Sequence, residues 1–301
     1  MVQERADRVL VLEGLPGMYA IHRAIAAAGG HEEHVGTIAE AAGSDAAALI
    51  VDHRRLLQQP PDPAWVLPPL CVIATEPPGR STLGQLYALA AIEHLLVSPL
   101  PDLLDDVALV VASLLRKRRF GLDAYLGAGS TTRSIDLPPE PEARIDALEE
   151  IRSDLLRSGQ PDRTVMLALS GLEEILSNAL VHGAAGPVAL RWGTDGRRIG
   201  WSVVDASGAL TPEHVREAHA RSWRGGQAQV RQAPEGAGLG LFFAHRCTDI
   251  LVFNLTPTRC TEVLGVLDGE RPRRTPKVCG SLHVYDDDPD AGPAAPGRPS
   301  P

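Results

Sequence analysis

Two polar residues on an otherwise apolar segment, Glu174 and Asn178, are the first candidates for chemistry in this sequence. They lie in "GLEEILSNALVHGA", residues 171–184, whose apolar positions recur at intervals of three and four. That periodicity predicts an amphipathic helix. A spacing of four places the carboxylate and the carboxamide on one face, one turn apart. Such a pair is most often part of a solvated face, but it is also able to hold a metal ion and orient a hydroxyl group.

Two further segments carry residue types that suit a phosphate ligand. In "VVDASGAL" an apolar run ends in Asp205 and a Ser-Gly turn follows, and in "EGAGLGL" the glycines Gly236, Gly238 and Gly240 lead into a helical pattern. Taken alone, Asp-x-x-Gly after a strand is most often a turn, and one glycine-rich segment is weak evidence.

The three segments together predict a nucleotide site. Glycines at a helix N-terminus let backbone N–H groups approach a polyphosphate. Mg²⁺ takes few protein oxygens, so Asn178 suffices as its anchor. Glu174, one turn away, is placed to orient or deprotonate an attacking hydroxyl. Asp205 is suited to accept a hydrogen bond from an exocyclic amine such as that of adenine.

The order of these segments, followed by a late Thr261, resembles the N, G1 and G2 boxes of the GHKL ATPases. The nearest subgroup is the anti-sigma-factor serine kinases, which "SNALVHGA", the short polar stretch before Gly236 and "IDLPPEPEARIDALEEIRSDLL" resemble. The resemblance covers roughly residues 130–268. It implies ATP and Mg²⁺ as cofactors, with Asn178 binding Mg²⁺ and Glu174 acting as the general base. It assigns the remaining contacts to Asp205 for adenine, Gly208 for close approach to the nucleotide, Gly236, Gly238 and Gly240 for the phosphates, and Thr261 for support of Asp205.

The sequence departs from the wider family in ways that narrow the activity. Ala209 stands where many relatives have a hydrophobic-Gly pair, which makes the G1 turn less flexible. Residues 120–160 contain no histidine, so an autophosphorylating histidine kinase is disfavoured. His182 precedes Gly183 and is better explained as a helix C-terminal residue than as a phosphate ligand.

The N-terminal region predicts a doubly wound α/β fold, because short apolar runs alternate with helical patterns. The predicted strands cover residues 8–12, 34–38, 46–52, 70–76 and 94–97, and the predicted helices cover residues 18–28, 84–92 and 102–115. This pattern resembles the receiver domains of response regulators, with Asp52 of "AALIVDHRRL" at the phosphoacceptor position and Thr75 at the switch hydroxyl. Ser98-Pro99 replaces the family's Lys-Pro and Glu13 is a single acid, so Mg²⁺-dependent phosphorylation of Asp52 is expected to be impaired. The expected role is a degenerate receiver that docks a protein.

These patterns divide the chain into four predicted segments. A receiver-like domain is predicted at 6–119, a linker at 120–129, an α+β sandwich with a mixed sheet at 130–268, and a disordered Pro-rich tail at 269–301. The net charge of −9 disfavours direct nucleic-acid binding, and no apolar run or leader indicates a membrane, so a cytoplasmic protein is expected.

Two functions remain open at this point. The first is a signalling regulator that binds Mg·ATP and phosphorylates Ser or Thr of a partner protein, of the sigma-factor or anti-sigma-antagonist type, under control of the receiver-like region. The second is a switch without kinase activity that binds ATP or sequesters the partner. Glu174 favours the first, since binding alone does not need a carboxylate there. A topoisomerase-like clamp is disfavoured because the chain lacks a transducer domain, and whether the chain forms a homodimer stays open.

Overall fold

A computed structural model of the chain describes residues 7–89, 92–97, 102–117, 119–138, 140–182, 186–224, 239–256, 259–270 and 279–286. Within these residues the eleven strands are β1 Arg8–Leu12, β2 His31–Val35, β3 Ala48–Asp52, β4 Leu70–Ala74, β5 His94–Val97, β6 Thr131–Leu137, β7 Val188–Thr194, β8 Arg198–Asp205, β9 Ile250–Thr256, β10 Cys260–Asp268 and β11 Ser281–Asp286. The eight α-helices in the same residues are α1 Met18–Ala28, α2 His53–Gln58, α3 Arg80–Leu89, α4 Asp102–Arg116, α5 Pro141–Arg157, α6 Asp162–His182, α7 Pro212–Arg224 and α8 Leu239–Cys247.

All eleven strands belong to one mixed sheet, in the order β2-β1-β3-β4-β5-β11-β9-β10-β8-β7-β6. The first five are parallel, as the alternation of apolar runs and helices predicts. Their order, 2-1-3-4-5, is one of the common orders of doubly wound sheets. From β9 to β6 the neighbouring strands are antiparallel, which is the mixed arrangement expected of the second region. The α/β class is therefore confirmed.

The helices cover the sheet according to the predicted pattern. Helices α1 and α4 pack against one face of the parallel strands, where burial of Val9, Val11 and Ile73 forms one core. The opposite face carries the larger core, which contains residues of α3, α5, α6, α7 and α8 and runs through both halves of the sheet. Because this core is continuous, the helices of the two predicted domains share one apolar interior.

The last strand, β11, joins the two halves of the sheet and corrects the predicted tail. Residues 281–286 pair in parallel with β9 and antiparallel with β5, and Val97 N donates to Ser281 Oγ at 2.9 Å. Leu282, Val284 and Tyr285 are buried. The run "SLHVY" is short and lies between proline-rich and acidic segments, so composition favoured disorder where the local residues favour a strand.

The predicted linker also packs into the structure. Leu122–Ala124 forms a 3₁₀ turn, and Leu122, Tyr125 and Leu126 are buried against β9 and β10 on the face opposite α6. These residues cover a face of the antiparallel strands that no described helix of the second half covers. Leu122, Tyr125 and Leu126 of the predicted linker therefore belong to the core.

Four histidines are buried where the two halves meet. His94 of β5 and His283 of β11 are opposite each other in register, with ring centroids 5.6 Å apart. His219 of α7 and His245 of α8 form a second pair at 5.1 Å. All four are at most 1% exposed, and burial lowers the pKa of His219 to about 4 and of His245 and His283 to about 3. Burial also lowers the pKa of His94, so all four are neutral near neutral pH.

Helix α6 is long and apolar enough to cross a membrane by length and composition. Its own side chains form part of the core, where Val165, Leu172, Ile175 and Leu176 are buried.

Candidate functional site

Helix α6 carries the Glu174/Asn178 pair in the predicted manner. Leu172, Ile175 and Leu176 are buried in the core, whereas Glu174 and Asn178 are half-buried. Among the residues that the structure describes, neither polar side chain forms a hydrogen bond or an ion pair. Both groups are therefore available to a ligand, while the apolar stripe holds the helix in place.

The first turn of α8 brings Gly240 directly against this pair. A Cβ atom on Gly240 would lie 2.9 Å from Glu174 Oε2 and 3.0 Å from Asn178 Nδ2. Real Cβ atoms do not approach so closely, so a side chain here would displace the pair or shift α8. The third glycine of the predicted phosphate segment thus lies beside the predicted Mg²⁺ anchor and base, although these residues are far apart in sequence.

Asp205 and Thr261 form a second pair on neighbouring strands. They are opposite each other in the antiparallel register of β8 and β10. Since side chains alternate along a strand, Asp205 shares the face of Val203, and Thr261 shares the face of Val263. Both valines belong to the core that α6 covers, so this pair lies on the same side of the sheet as Glu174 and Asn178.

Thr261 has a buried hydroxyl that lacks a partner. The residue is 3% exposed, and its Oγ1 forms no hydrogen bond within the described part of the chain. A buried hydroxyl without a partner costs free energy unless a ligand or a water molecule satisfies it. This position is consequently one where a polar ligand would be stabilised.

Asp205 serves the local turn as well. Its Oδ1 accepts hydrogen bonds from Ser207 N, at 2.9 Å, and from Ser207 Oγ. Gly208 follows with φ +55°, in the left-handed region that glycine adopts readily. Oδ1 thus forms the turn that "DASG" predicts, and no partner of Oδ2 is found among the described residues.

The other predicted positions are placed only in part. Gly236 and Gly238 lie outside the described residues, and so does the side chain of His182, the last residue of α6. No cluster of three or more His, Cys, Asp or Glu residues that could hold a metal ion occurs in the described ranges. A cation at Asn178 would thus depend on that one amide oxygen together with the ligand's own oxygens, which suits Mg²⁺ better than a metal that needs a complete protein cage.

One contact beside the pair was not predictable from sequence. Arg144 of α5 donates from Nη1 to Ser177 Oγ at 2.5 Å, and Ser177 immediately precedes Asn178. This bond ties α5 to the polar face of α6. Arg144 is one of several arginines in an ordinary charged helix, so no sequence signal distinguishes it.

Asp52 at the end of β3 occupies a position unlike an open phosphoacceptor. It is 7% exposed, and its Oδ1 accepts the N–H of Arg54 at 2.8 Å as the N-cap of α2. His53 Nδ1 lies 3.6 Å from Oδ2. Glu13, the single acid after β1, is exposed, and Ser98 and Pro99 lie outside the described residues. The carboxylate of Asp52 is thus already committed to capping a helix.

Comparison with known proteins adds no family assignment, since no protein-family model and no curated protein matches this chain.

Proposed function

We propose that the chain is a cytoplasmic signalling protein that binds Mg·ATP at the face formed by α6, α8, β8 and β10, and that it phosphorylates Ser or Thr of a partner protein. The support comes from one observation above all: Gly240 packs against Glu174 and Asn178 so closely that a Cβ would collide with both. This contact places an unengaged carboxylate and amide beside the N-terminal turn of a helix, where a polyphosphate and its cation are favoured.

The residues present fit such a ligand. Gly240 lets the N-terminal turn of α8 approach the Glu174/Asn178 pair closely, and Asn178 offers a neutral oxygen for a hard cation. Thr261 Oγ1, buried and unsatisfied, lies opposite Asp205, whose carboxylate suits an amino group of a base. Mg²⁺, when bound, would neutralise charge on the phosphates. In the arrangement that the GHKL resemblance implies, Asp205 and Thr261 hold the base, Asn178 the cation, and Glu174 the attacking hydroxyl.

Glu174 is the residue that separates a kinase from a binding-only switch. A carboxylate aimed at a hydroxyl would accept its proton as the oxygen bonds to the γ-phosphorus and the bond from that phosphorus to ADP breaks, a role worth about 10²–10⁴-fold in rate. Partner binding would then be regulated by the receiver-like half, whose Asp52 is engaged in capping α2. Partners of the sigma-factor or anti-sigma-antagonist type follow from the same resemblance.

Glu174→Gln is expected to keep ATP affinity within about threefold of wild type and to lower phosphoryl transfer by about 10²-fold or more. The amide keeps the size of the side chain but removes the basic oxygen. ATP affinity is measured by calorimetry. Phosphoryl transfer to water or to a partner protein is measured as release of ADP. Glu173→Gln is the matched control, because Glu173 is the neighbouring exposed glutamate.

Equal losses in the two glutamine variants would remove the assigned role of Glu174. Wild-type protein that binds ATP but shows no transfer with any partner would instead favour the switch without kinase activity.

A further inference from the structure

A cavity of about 700 Å³ lies at the contact between the N-terminal half and α7. Residues of the loop before β4 and the C-terminal end of α3 form one side, and α7 forms the other. Arg80 at the start of α3 donates from Nη2 to the carbonyl oxygen of Ser222 at 3.3 Å, which fixes the two helices together beside the cavity. This volume is in the usual range for small-molecule sites.

The walls of the cavity are largely apolar and include two aromatic rings. Trp65, Leu67, Leu70, Tyr87 and Leu89 line it. Trp65 is 37% exposed, whereas Trp192, Trp201 and Trp223 are buried in the core. A half-exposed tryptophan ring on a concave surface offers a large face to an apolar or cationic ligand.

Glu93 contributes a carboxylate to the cavity lining. It is half-buried, and its Oε2 accepts the N–H of Leu70 at 2.8 Å. Burial raises the pKa of Glu93 even though the Leu70 N–H and the charge of Arg216 act to lower it. The negative charge of this carboxylate is therefore incompletely compensated by the protein.

The two arginines of the cavity lining do not outweigh its carboxylates. Arg216 forms an ion pair with Glu213, one turn earlier on α7, and Arg221 is exposed. The lining contains three carboxylates, on Asp62, Glu93 and Glu217, against the two guanidinium groups. An anionic ligand would face an excess of negative charge, and a cation would relieve it.

We propose that this cavity binds a small organic ammonium ion with an aromatic or aliphatic body. The body packs against Trp65 and the leucines, and the ammonium group pairs with Glu93. Ligand and carboxylate compensate each other in a partly desolvated site, where charge-assisted hydrogen bonds are strongest. The site is separate from the Glu174/Asn178 face, and the proposal does not depend on ATP binding.

The test uses three probes of one shape: phenethylamine, 3-phenylpropionate and 2-phenylethanol. On the full-length wild-type chain, phenethylamine is expected to bind with a dissociation constant in about the millimolar range or tighter, and at least about tenfold more tightly than the alcohol or the acid. Binding is followed by calorimetry and by Trp65 fluorescence. Trp65→Phe is expected to abolish the fluorescence change, since the other three tryptophans are buried.

Glu93→Gln is expected to weaken phenethylamine binding by at least about tenfold, while Arg221→Ala leaves it unchanged or strengthens it. The carboxamide keeps an acceptor for Leu70 N, so the variant should fold, and the comparison of amine with alcohol on the wild type needs no substitution at all. Tighter binding of 3-phenylpropionate, lost in Arg221→Ala, would overturn the assignment of a cation. Failure of phenethylamine to saturate at concentrations on the order of 10 mM, or equal binding by the amine and the alcohol, would overturn the site itself.

Discussion

A chain that ends at residue 278 is expected to lose cooperative folding, because it lacks β11. This strand lies between β5 and β9 and hydrogen-bonds to both. Burial of Leu282, Val284 and Tyr285 contributes about 5–9 kcal/mol, at about 1.5–3 kcal/mol for each large apolar side chain. That sum is comparable with the about 5–15 kcal/mol that separates folded from unfolded domains.

The loss is measured as the urea midpoint followed by far-ultraviolet circular dichroism. The control is a chain that ends at Asp286, which retains every described strand. The control should match the full-length chain. The shorter chain should show either no sigmoidal transition or a urea midpoint lowered by the lost free energy divided by the control's m value. A shorter chain with the control's midpoint would show that the two halves of the sheet are stable without their joining strand.

Acidification from about pH 7 to about pH 5 is expected to lower the free energy of unfolding by several kcal/mol (on the order of 2 kcal/mol per buried histidine), the second large effect. The four buried histidines have native pKa values below the ordinary 6.5 because burial penalises their charged forms. The unfolded chain therefore binds more protons than the native chain at pH values under about 6.5, and protons favour unfolding. At pH 5 His219, His245 and His283 each cost about 2 kcal/mol, since the unfolded form is then mostly protonated while the native form is neutral, and His94 acts in the same direction.

The buried histidines and Glu93 change the stability in opposite directions as the pH falls. Stability is fully present above about pH 6.5 and is lost as the pH falls towards the native pKa values of about 3 to 4. Glu93 acts in the opposite direction, because its raised pKa means that the native state takes up a proton first. One such carboxyl group offsets only part of the loss from four histidines.

Urea unfolding at a series of pH values measures the effect. His283→Leu should reduce the pH-dependent loss by about a quarter, whatever it does to stability at neutral pH, because one of the four titrating groups is gone. His214→Asn is the control, since His214 is exposed on α7. Stability that does not change between the two pH values, or an equal effect of both variants, would contradict neutral burial of these histidines.

The regular elements follow from the sequence where one period dominates. The stripe of Leu172, Ile175 and Leu176 predicts α6, and the structure confirms it. The apolar run at β5 predicts a buried strand, and all its residues are buried. In each case local patterning and tertiary burial favour the same structure.

The errors occur where local composition and tertiary contacts favour different structures. Strand β2, His31–Val35, lies three residues before its predicted position because it is a mostly polar edge strand without an apolar alternation. Helix α7 has a polar sequence and lies in the polar stretch before Gly236, where no helix is predicted, but Val215 and Ala218 are buried against the core. Strand β11 gains its stability from two neighbours that are remote in sequence.

Some features of the candidate site are predictable from the sequence, and others depend on tertiary packing. Spacing alone places Glu174 and Asn178 on one helical face, and a strand followed by Ser-Gly explains the turn after Asp205. The contact of Gly240 with the pair and the register between Asp205 and Thr261 depend on the packing of α8 and the pairing of β10 with β8. No local pattern encodes these long-range contacts, nor the bond from Arg144 to Ser177.

The most direct test of the central claim is calorimetric titration of ATP, with and without Mg²⁺, into wild type and Asn178→Ala. ATP is expected to bind the wild type with a dissociation constant in about the micromolar range, to require Mg²⁺, and to bind Asn178→Ala at least about tenfold more weakly, with the unfolding transition unchanged. Asn178 forms no hydrogen bond within the described residues, so the substitution should leave the fold intact. No ATP binding to the wild type, or the same Mg²⁺-dependent affinity in both proteins, would contradict a nucleotide site on this face of α6.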